Sequence, residues 1–208
     1  MSEARKAGGT VVELGVGTGR IAIPIAEAGV HVIGVDSSTG MLEVCRARAE
    51  EACVADLLDL RLGDLRDPPV KEPVPLVTCP FRAYLHLDGE DERLAALQAA
   101  RELLVEDGRL IFDVFTPSRD DIDETDARWL EREPGIWERA DWDEPGRRLT
   151  LSVRGEDGEG TMTLSWLSVP EWRGLVERAG FRVEACYGWF DRRPYSGGED
   201  SVWIACRV

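Results

Sequence analysis

An α/β fold built on a mostly parallel, doubly wound sheet is predicted by three features of the sequence. Short apolar runs alternate with helical patterns through the first two-thirds of the chain. A glycine-rich turn joins the first run directly to the first helical pattern, and after Phe115 the pattern changes to the period-two alternation of antiparallel strands. With 208 residues and 43% apolar content, the chain can bury one sizeable core, and residues 1–208 are expected to form one domain.

The strands are expected at residues 10–14, 31–35, 58–62, 74–78 and 109–115, each rich in Val, Leu, Ile or Phe and separated by enough chain for crossovers. Between the first two, Ile21, Ile25 and Ala28 form an apolar stripe that ends at Gly29, and Pro24 requires this helix to begin close to Arg20. A second helix, about Thr39 to Ala52, carries Leu42, Cys45, Ala49 and Ala52 on one face. A third, about Asp91 to Val105, carries Leu94, Leu97 and Leu104, with Gly108 as its cap. The stretch Thr116 to Glu133 is polar and acidic. Beyond it, Leu149, Leu151 and Val153, then Met162, Leu164 and Trp166, alternate with polar residues, and Glu144 to Gly146 and Gly155 to Gly160 supply turns. This is a small antiparallel insertion after the fifth strand. Ser168 and Glu171 have capping-box spacing at the start of a helix running to Ala179, and residues 181–190 and 201–208 form a closing hairpin.

Composition excludes several classes. Forty acidic residues against 25 basic ones give a net charge of −15, which opposes approach to nucleic acid and to anionic membranes. No run reaches the roughly 18 to 20 apolar residues of a membrane span, and residues 1–9 lack a signal-peptide pattern, so a cytoplasmic protein is expected. The five cysteines have no C-x-x-C spacing and no His, Cys or carboxylate cluster has metal-ligand spacing, so reduced thiols and metal-independent chemistry are expected.

The informative stretch is Val11 to Arg20, in which a strand enters Gly15-x-Gly17-x-Gly19 and then a helix. Glycines at alternate positions let a ligand approach the backbone while a helix N-terminus leaves N–H groups free. A dinucleotide fingerprint would need glycine at position 20, where this chain has Arg20. Glu13 adds a charge argument. A pyrophosphate beside an ionised carboxylate at about 4 Å would be disfavoured by on the order of 4 kcal/mol at an effective dielectric near 20. The ammonium and sulfonium of S-adenosylmethionine carry the opposite sign. Asp36, at the end of the second strand, can accept from both hydroxyls of a ribose, and Asp64 from the exocyclic amine of adenine with Leu65 against the ring. Each acid has a structural alternative: pairing with an arginine for Glu13, capping a helix for Asp36, shaping a turn for Asp64.

Through Glu13 to Gly19, Val32 to Asp36, Gly63 to Leu65 and Gly108 to Val114, the chain resembles the class I S-adenosylmethionine-dependent methyltransferases, small-molecule type. Ser168 to Glu171 and Glu177 to Phe181 extend the likeness over essentially the whole chain. The resemblance implies a seven-stranded sheet with an antiparallel last strand, and transfer of a methyl group to an O, N or C nucleophile, leaving S-adenosylhomocysteine. The cofactor site is then expected to comprise Glu13, Gly15, Val16, Gly17, Thr18, Arg20, Asp36, Ser37, Met41, Gly63, Asp64, Leu65, Cys79 and Phe81. Pro75 stands where relatives carry an acidic residue, and only about ten residues precede the first strand, where many relatives place a lid. Residues 116–167 are the expected substitute cover, or a dimerisation element that would make the protein a homodimer.

For the acceptor side, the segment after the fourth strand offers His86 as a general base and Arg82 and Tyr84 as substrate contacts, with Trp137 as an aromatic wall. Each could equally be structural: His86 fixing a loop, Arg82 paired to a carboxylate, the tryptophan packing a core. Asp113, inside an apolar strand, is either a buried acid near the cofactor crevice or a structural one. Two other readings stay open at this level, a cofactor-binding enzyme that does not methylate, such as a cyclase, and a non-catalytic regulatory partner.

Overall fold

The structure, a computed structural model, describes residues 2–156 and 158–208. Its main sheet has seven strands in the order β10-β11-β5-β4-β1-β2-β3. These are β1 (Val11–Leu14), β2 (Val32–Asp36), β3 (Leu58–Leu62), β4 (Val74–Cys79), β5 (Leu104–Phe115), β10 (Phe181–Tyr187) and β11 (Asp200–Arg207). The first five run parallel, and β11 inserts antiparallel between β5 and β10, as the hairpin reading requires.

Helices α1 (Ser2–Ala7), α2 (Ala22–Glu27), α3 (Thr39–Glu51) and α4 (Gly89–Leu103) lie in the first half of the chain, and α6 (Val169–Arg178) in the second. Two separate apolar clusters result. Ala4, Ala22, Ile25, Leu42 and Cys45 pack with Val11, Val32 and Leu76 in one. Leu97, Ala100, Trp172 and Val176 pack with Val12, Leu14, Phe112 and Trp203 in the other. Successive residues of β1 therefore serve opposite layers, and all four of its residues are buried, as expected for a central parallel strand. In the larger cluster Phe112 stacks on Trp203 at 5.9 Å, and Tyr84 meets Phe112 edge-on at 5.4 Å.

The insertion is a four-stranded antiparallel sheet of β6 (Trp129–Glu133), β7 (Ile136–Asp143), β8 (Arg148–Gly155) and β9 (Gly158–Ser165), in that order. It is attached at one end. Trp142 packs against Phe115 and Trp166, and Arg93 of α4, almost wholly buried, donates to the Ser165 carbonyl at 2.8 Å and to its hydroxyl. Glu171 at the head of α6 accepts from the Ser168 amide at 2.8 Å, the contact its spacing anticipates.

The structure departs from the sequence reading in three places. The third helix starts at Gly89 and ends at Leu103, and Gly108 lies inside β5 instead of capping the helix. Leu104 pairs with Val74, which extends β5 back over the expected helix end. The acidic stretch contains α5 (Arg119–Thr125), whose start is fixed by Ser118 and Asp121: each side chain accepts from the other's amide, at 3.2 and 2.9 Å. The short α1 was also not anticipated, because it buries little beyond Ala4 and shows no apolar period.

Glu13 is the unusual member of the core. It is 1% exposed, accepts a backbone hydrogen bond from Ala22, and its Oε2 has no hydrogen-bond partner. Burial raises its pKa from 4.5 to about 8. The unfolded chain ionises this group first, so folding stability should be lost as pH rises from 4.5 through about 8. Glu13→Gln should lack this loss. Denaturant unfolding at pH 6 and pH 9 should show the variant gaining on the native chain at the higher pH, and parallel profiles would contradict the assignment.

Candidate functional site

The strand order reverses between β4, β1 and β2, so connections leave β1 and β4 toward opposite layers and open a crevice at the strands' C-terminal ends. The glycine turn lies on that crevice. Gly15 and Val16 donate to the Val35 carbonyl at 2.8 and 3.0 Å, which pins the turn to β2. Gly17 and Gly19 both have positive φ, 54° and 83°, but for different ends. A Cβ on Gly19 would come within 2.6 Å of the Cys45 sulfur, so that glycine permits packing of α3. A Cβ on Gly17 would meet nothing within 4 Å. The space beside Gly17 is open to a ligand.

Asp36 links the two strands. Its Oδ2 accepts from the Gly17 amide at 2.8 Å and its Oδ1 from the Ser38 amide at 2.9 Å, while the Ser38 hydroxyl caps α3 by accepting from Met41 N at 3.3 Å. One carboxylate thus sets the shape of the turn and the start of α3. Its carboxylate, which is partly exposed, has the capacity to accept further hydrogen bonds. Around it, Met41, Leu62 and Phe81 are large apolar side chains roughly half exposed. Leu62 is paired in register with Asp36 at the strand ends.

Thr18 and Arg20 complete the turn. The Thr18 hydroxyl accepts from Arg48 at 2.7 Å, and the Arg20 guanidinium lies 4.6 Å from the centre of the Phe81 ring. Ser37 is exposed beside Asp36, whereas Val16 is buried and packs under the turn. Gly63 donates to the Asp36 carbonyl at 2.9 Å and is crowded by Pro69, a packing role. Asp64 is clasped by Arg66, whose Nη2 lies 2.6 Å from Oδ2, and Arg66 continues to Glu92 at 2.5 Å. That guanidinium holds the Asp64 carboxyl below its usual range. Leu65 packs against the larger core cluster.

Three expected residues lie elsewhere. Cys79 and Tyr84 are fully buried in the larger core cluster, where desolvation raises both pKa values, so neither side chain faces the crevice. Trp137 sits on β7 six residues from Asp143, about 20 Å along the strand from the attached end of the small sheet. It is a neighbour of Arg154 and stands apart from the glycine turn. Arg82 is engaged, with an Asp200 ion pair at 2.7 Å and the Phe115 ring 4.7 Å below. His86 closes a short 3-10 turn, Ala83–His86, that is seated on Gly15: Ala83 lies where a Gly15 Cβ would be, 2.9 Å away. Desolvation lowers the His86 pKa and the Asp36 charge opposes that, so the imidazole is predominantly neutral at pH 7.

Glu13 is also corrected. Its carboxyl is inside the wall, facing the start of α2, and with a pKa of about 8 it is mostly protonated at pH 7. Contrary to the charge expected from the sequence, Glu13 therefore does not repel an anionic ligand. The features that fit an adenosyl ligand are the open Gly17 face, the Asp36 acceptors and the uncovered apolar side chains.

Two groups escaped the sequence reading. Leu62 could have been found as the last residue of a strand ending at the crevice. Trp189 and Phe190, an exposed aromatic pair with ring centres 5.3 Å apart, lie in the connection between β10 and β11. Their signal was an apolar doublet in a stretch otherwise full of Pro, Gly and charge.

Among the described residues no group of His, Cys, Asp and Glu could hold a metal ion, and no helix is long and apolar enough to cross a membrane. Comparison with known proteins gives a consistent family. Residues 11–108 match the family described as "Methyltransferase domain". The cypemycin N-terminal methyltransferase of a Streptomyces species is 26% identical over 198 residues, 91% of this chain and 79% of that protein. The solved CcbJ methyltransferase from Streptomyces caelestis superposes with a TM-score of 0.85 at 26% identity, covering 96% of this chain and 89% of the other. The structure of CalS10 with S-adenosylmethionine bound, an amino pentose methyltransferase from Micromonospora echinaspora, has the same fold, with a TM-score of 0.71 at 21% identity over 99% of this chain and 86% of that one. With the glycine turn, the Asp36 bridge and the seven-stranded order, these likenesses give the cofactor as S-adenosylmethionine and the activity as methyl transfer: the chain is an S-adenosylmethionine-dependent methyltransferase with the class I fold.

Proposed function

We propose that this methyltransferase acts on a nitrogen of a small molecule in the cytoplasm, with its cofactor lodged between the glycine turn and Asp36. The observation that carries the site is the open face of Gly17 beside a carboxylate already fixed by two amides. Asp36 would accept from the ribose hydroxyls, Met41, Leu62 and Phe81 would cover the apolar faces of the nucleoside, and Arg20 would hold Phe81 in place. Asp64 would receive the adenine amine on an oxygen it now shares with Arg66.

Two considerations support the acceptor class. Two of the related proteins are described as acting on an N-terminus and on an amino pentose, both of which present an amino group. The net charge of −15 disfavours nucleic acid. When bound, S-adenosylmethionine supplies a methyl group activated by its sulfonium. Transfer would form the N–C bond as the C–S bond breaks, release S-adenosylhomocysteine, and leave the nitrogen a proton to lose. His86, neutral and at the mouth of the crevice, is the candidate to take that proton, and residues 116–167 are the candidate cover. Alignment of donor and acceptor would supply most of the rate.

Incubation of the protein with S-adenosylmethionine and a panel of primary amines, alcohols and thiols should release S-adenosylhomocysteine in proportion to methylated amine. Methylation confined to alcohols or thiols would contradict the nitrogen assignment. Asp36→Ala should lose hydrogen bonds to a charged group worth about 1.5 to 3 kcal/mol, weakening the cofactor roughly ten- to a hundredfold in calorimetric titration. Asp36→Asn, which keeps one acceptor oxygen for Gly17, should fall between; a folded Asp36→Ala protein with unaltered affinity would remove Asp36 from the site.

A further inference from the structure

One face of the main sheet is incompletely covered. Helices α1 and α2 have six residues each; α1 packs on β4 and α2 on β2 and β3, and a cavity of about 270 Å³ lies over β5 and β11. Its floor is Ile111, Val202 and Ile204, its side Ile21 and Ile25, and its cover the Trp189–Phe190 connection. Glu3 of α1 and Arg192 of that connection are paired at 2.6 Å across the cavity's edge. Two of its lining residues adjoin segments of the crevice in the chain: Ile21 follows the glycine turn and Pro80 precedes Phe81.

Asp113 stands where the cavity meets the strand ends. It is 7% exposed, and its Oδ1 accepts from the Phe81 amide at 2.8 Å. Arg82, the cation acting on it, is held by Asp200 at 2.7 Å, so the carboxylate is fixed by backbone without an ion pair among the described residues. Burying a carboxylate in an apolar lining is costly unless a cation is supplied. Burial raises its pKa from 3.8 to about 6, with Asp200 adding in the same direction and Arg82 opposing. At pH 7 the group is mostly ionised, and the cation that acts on it, Arg82, is shared with Asp200.

We infer that this cavity is the acceptor's binding chamber and that it selects an amine borne on an apolar body, the ammonium meeting Asp113 and the body lying on Ile111, Val202 and Ile204 beneath Trp189 and Phe190. The inference rests on the methyltransferase reading above and adds the shape and charge of the acceptor. Aromatic faces at the cover favour the same cation, and a carboxylate-bearing ligand would be repelled by Asp113. The chamber's size limits the buried body to a single ring or a short chain.

The test uses three probes of one skeleton, 4-phenylbutylamine, 4-phenylbutanol and 4-phenylbutyrate, titrated calorimetrically into the full chain saturated with S-adenosylhomocysteine. The amine should bind at least tenfold tighter than the alcohol, and the carboxylate weakest. Asp113→Asn, which keeps an oxygen for the Phe81 amide, should reduce the amine's advantage to less than threefold, and Ile204→Phe should weaken amine and alcohol alike while leaving the S-adenosylmethionine affinity unaltered. Equal binding of amine and alcohol, an amine preference that survives Asp113→Asn, or no binding of any probe to a protein that does bind the cofactor would overturn the inference. Failure to bind S-adenosylmethionine at all would instead overturn the cofactor site, so the two failures are distinguishable.

Discussion

The Asp36 carboxylate, divided between the Gly17 and Ser38 amides, is the contact on which the crevice at the strand ends depends. A parallel sheet brings the ends of β1 and β2 side by side but does not decide how the chain leaves them. The bridge makes that decision: it ties the turn after β1 to the end of β2 and, through Ser38, to the start of α3. Gly15 and Val16 reinforce it from the backbone side by donating to Val35. The result is a rigid rim whose one uncrowded position is Gly17, so the opening for a ligand is a consequence of how the turn is held and requires no movement of the core. Placing the site on strand ends and a fixed turn also gives the alignment that methyl transfer needs.

Much of this was legible in the sequence because it depends on local pattern. The alternation of apolar runs and helical stripes located the five parallel strands to within a few residues except at β5, and Ser168 with Glu171 marked α6 correctly. The glycine spacing and Asp36 made the crevice legible because the backbone itself forms it. The errors arise where tertiary packing decides. Cys79 and Tyr84 follow the fourth strand, next to the crevice in sequence, but their side chains turn into the core against Phe112. Glu13 was read by charge, yet a residue of an all-buried strand loses its charge before it can act on a ligand. Gly108 looked like a cap, and only the pairing of Leu104 with Val74 shows that the strand begins before it.

The two layers on the main sheet differ in completeness, and the proposed acceptor chamber lies on the less complete one. On one face α4, α6 and the attached end of the small sheet make a continuous core with stacked aromatics. On the other, short helices leave β5 and β11 to a loop. Asp113 lies on the thinly covered face near the crevice, where it is held by the loop that carries Phe81. The small sheet is anchored through Arg93, Trp142 and Trp166 at one end, and its far end, with Trp137 and Arg154, is separated from the site. The named relatives are methyltransferases, and neither a non-methylating enzyme nor a regulatory partner gains support from them.

The central claim is that the glycine turn and Asp36 form a site for an adenosyl methyl donor in this chain. Isothermal titration of the purified protein with S-adenosylmethionine, S-adenosylhomocysteine and NAD in parallel addresses it most directly. Micromolar binding of the two adenosyl ligands at one site per chain, with none for NAD, is the expected result. Tight NAD binding, or no binding of either adenosyl ligand to the folded protein, would contradict it.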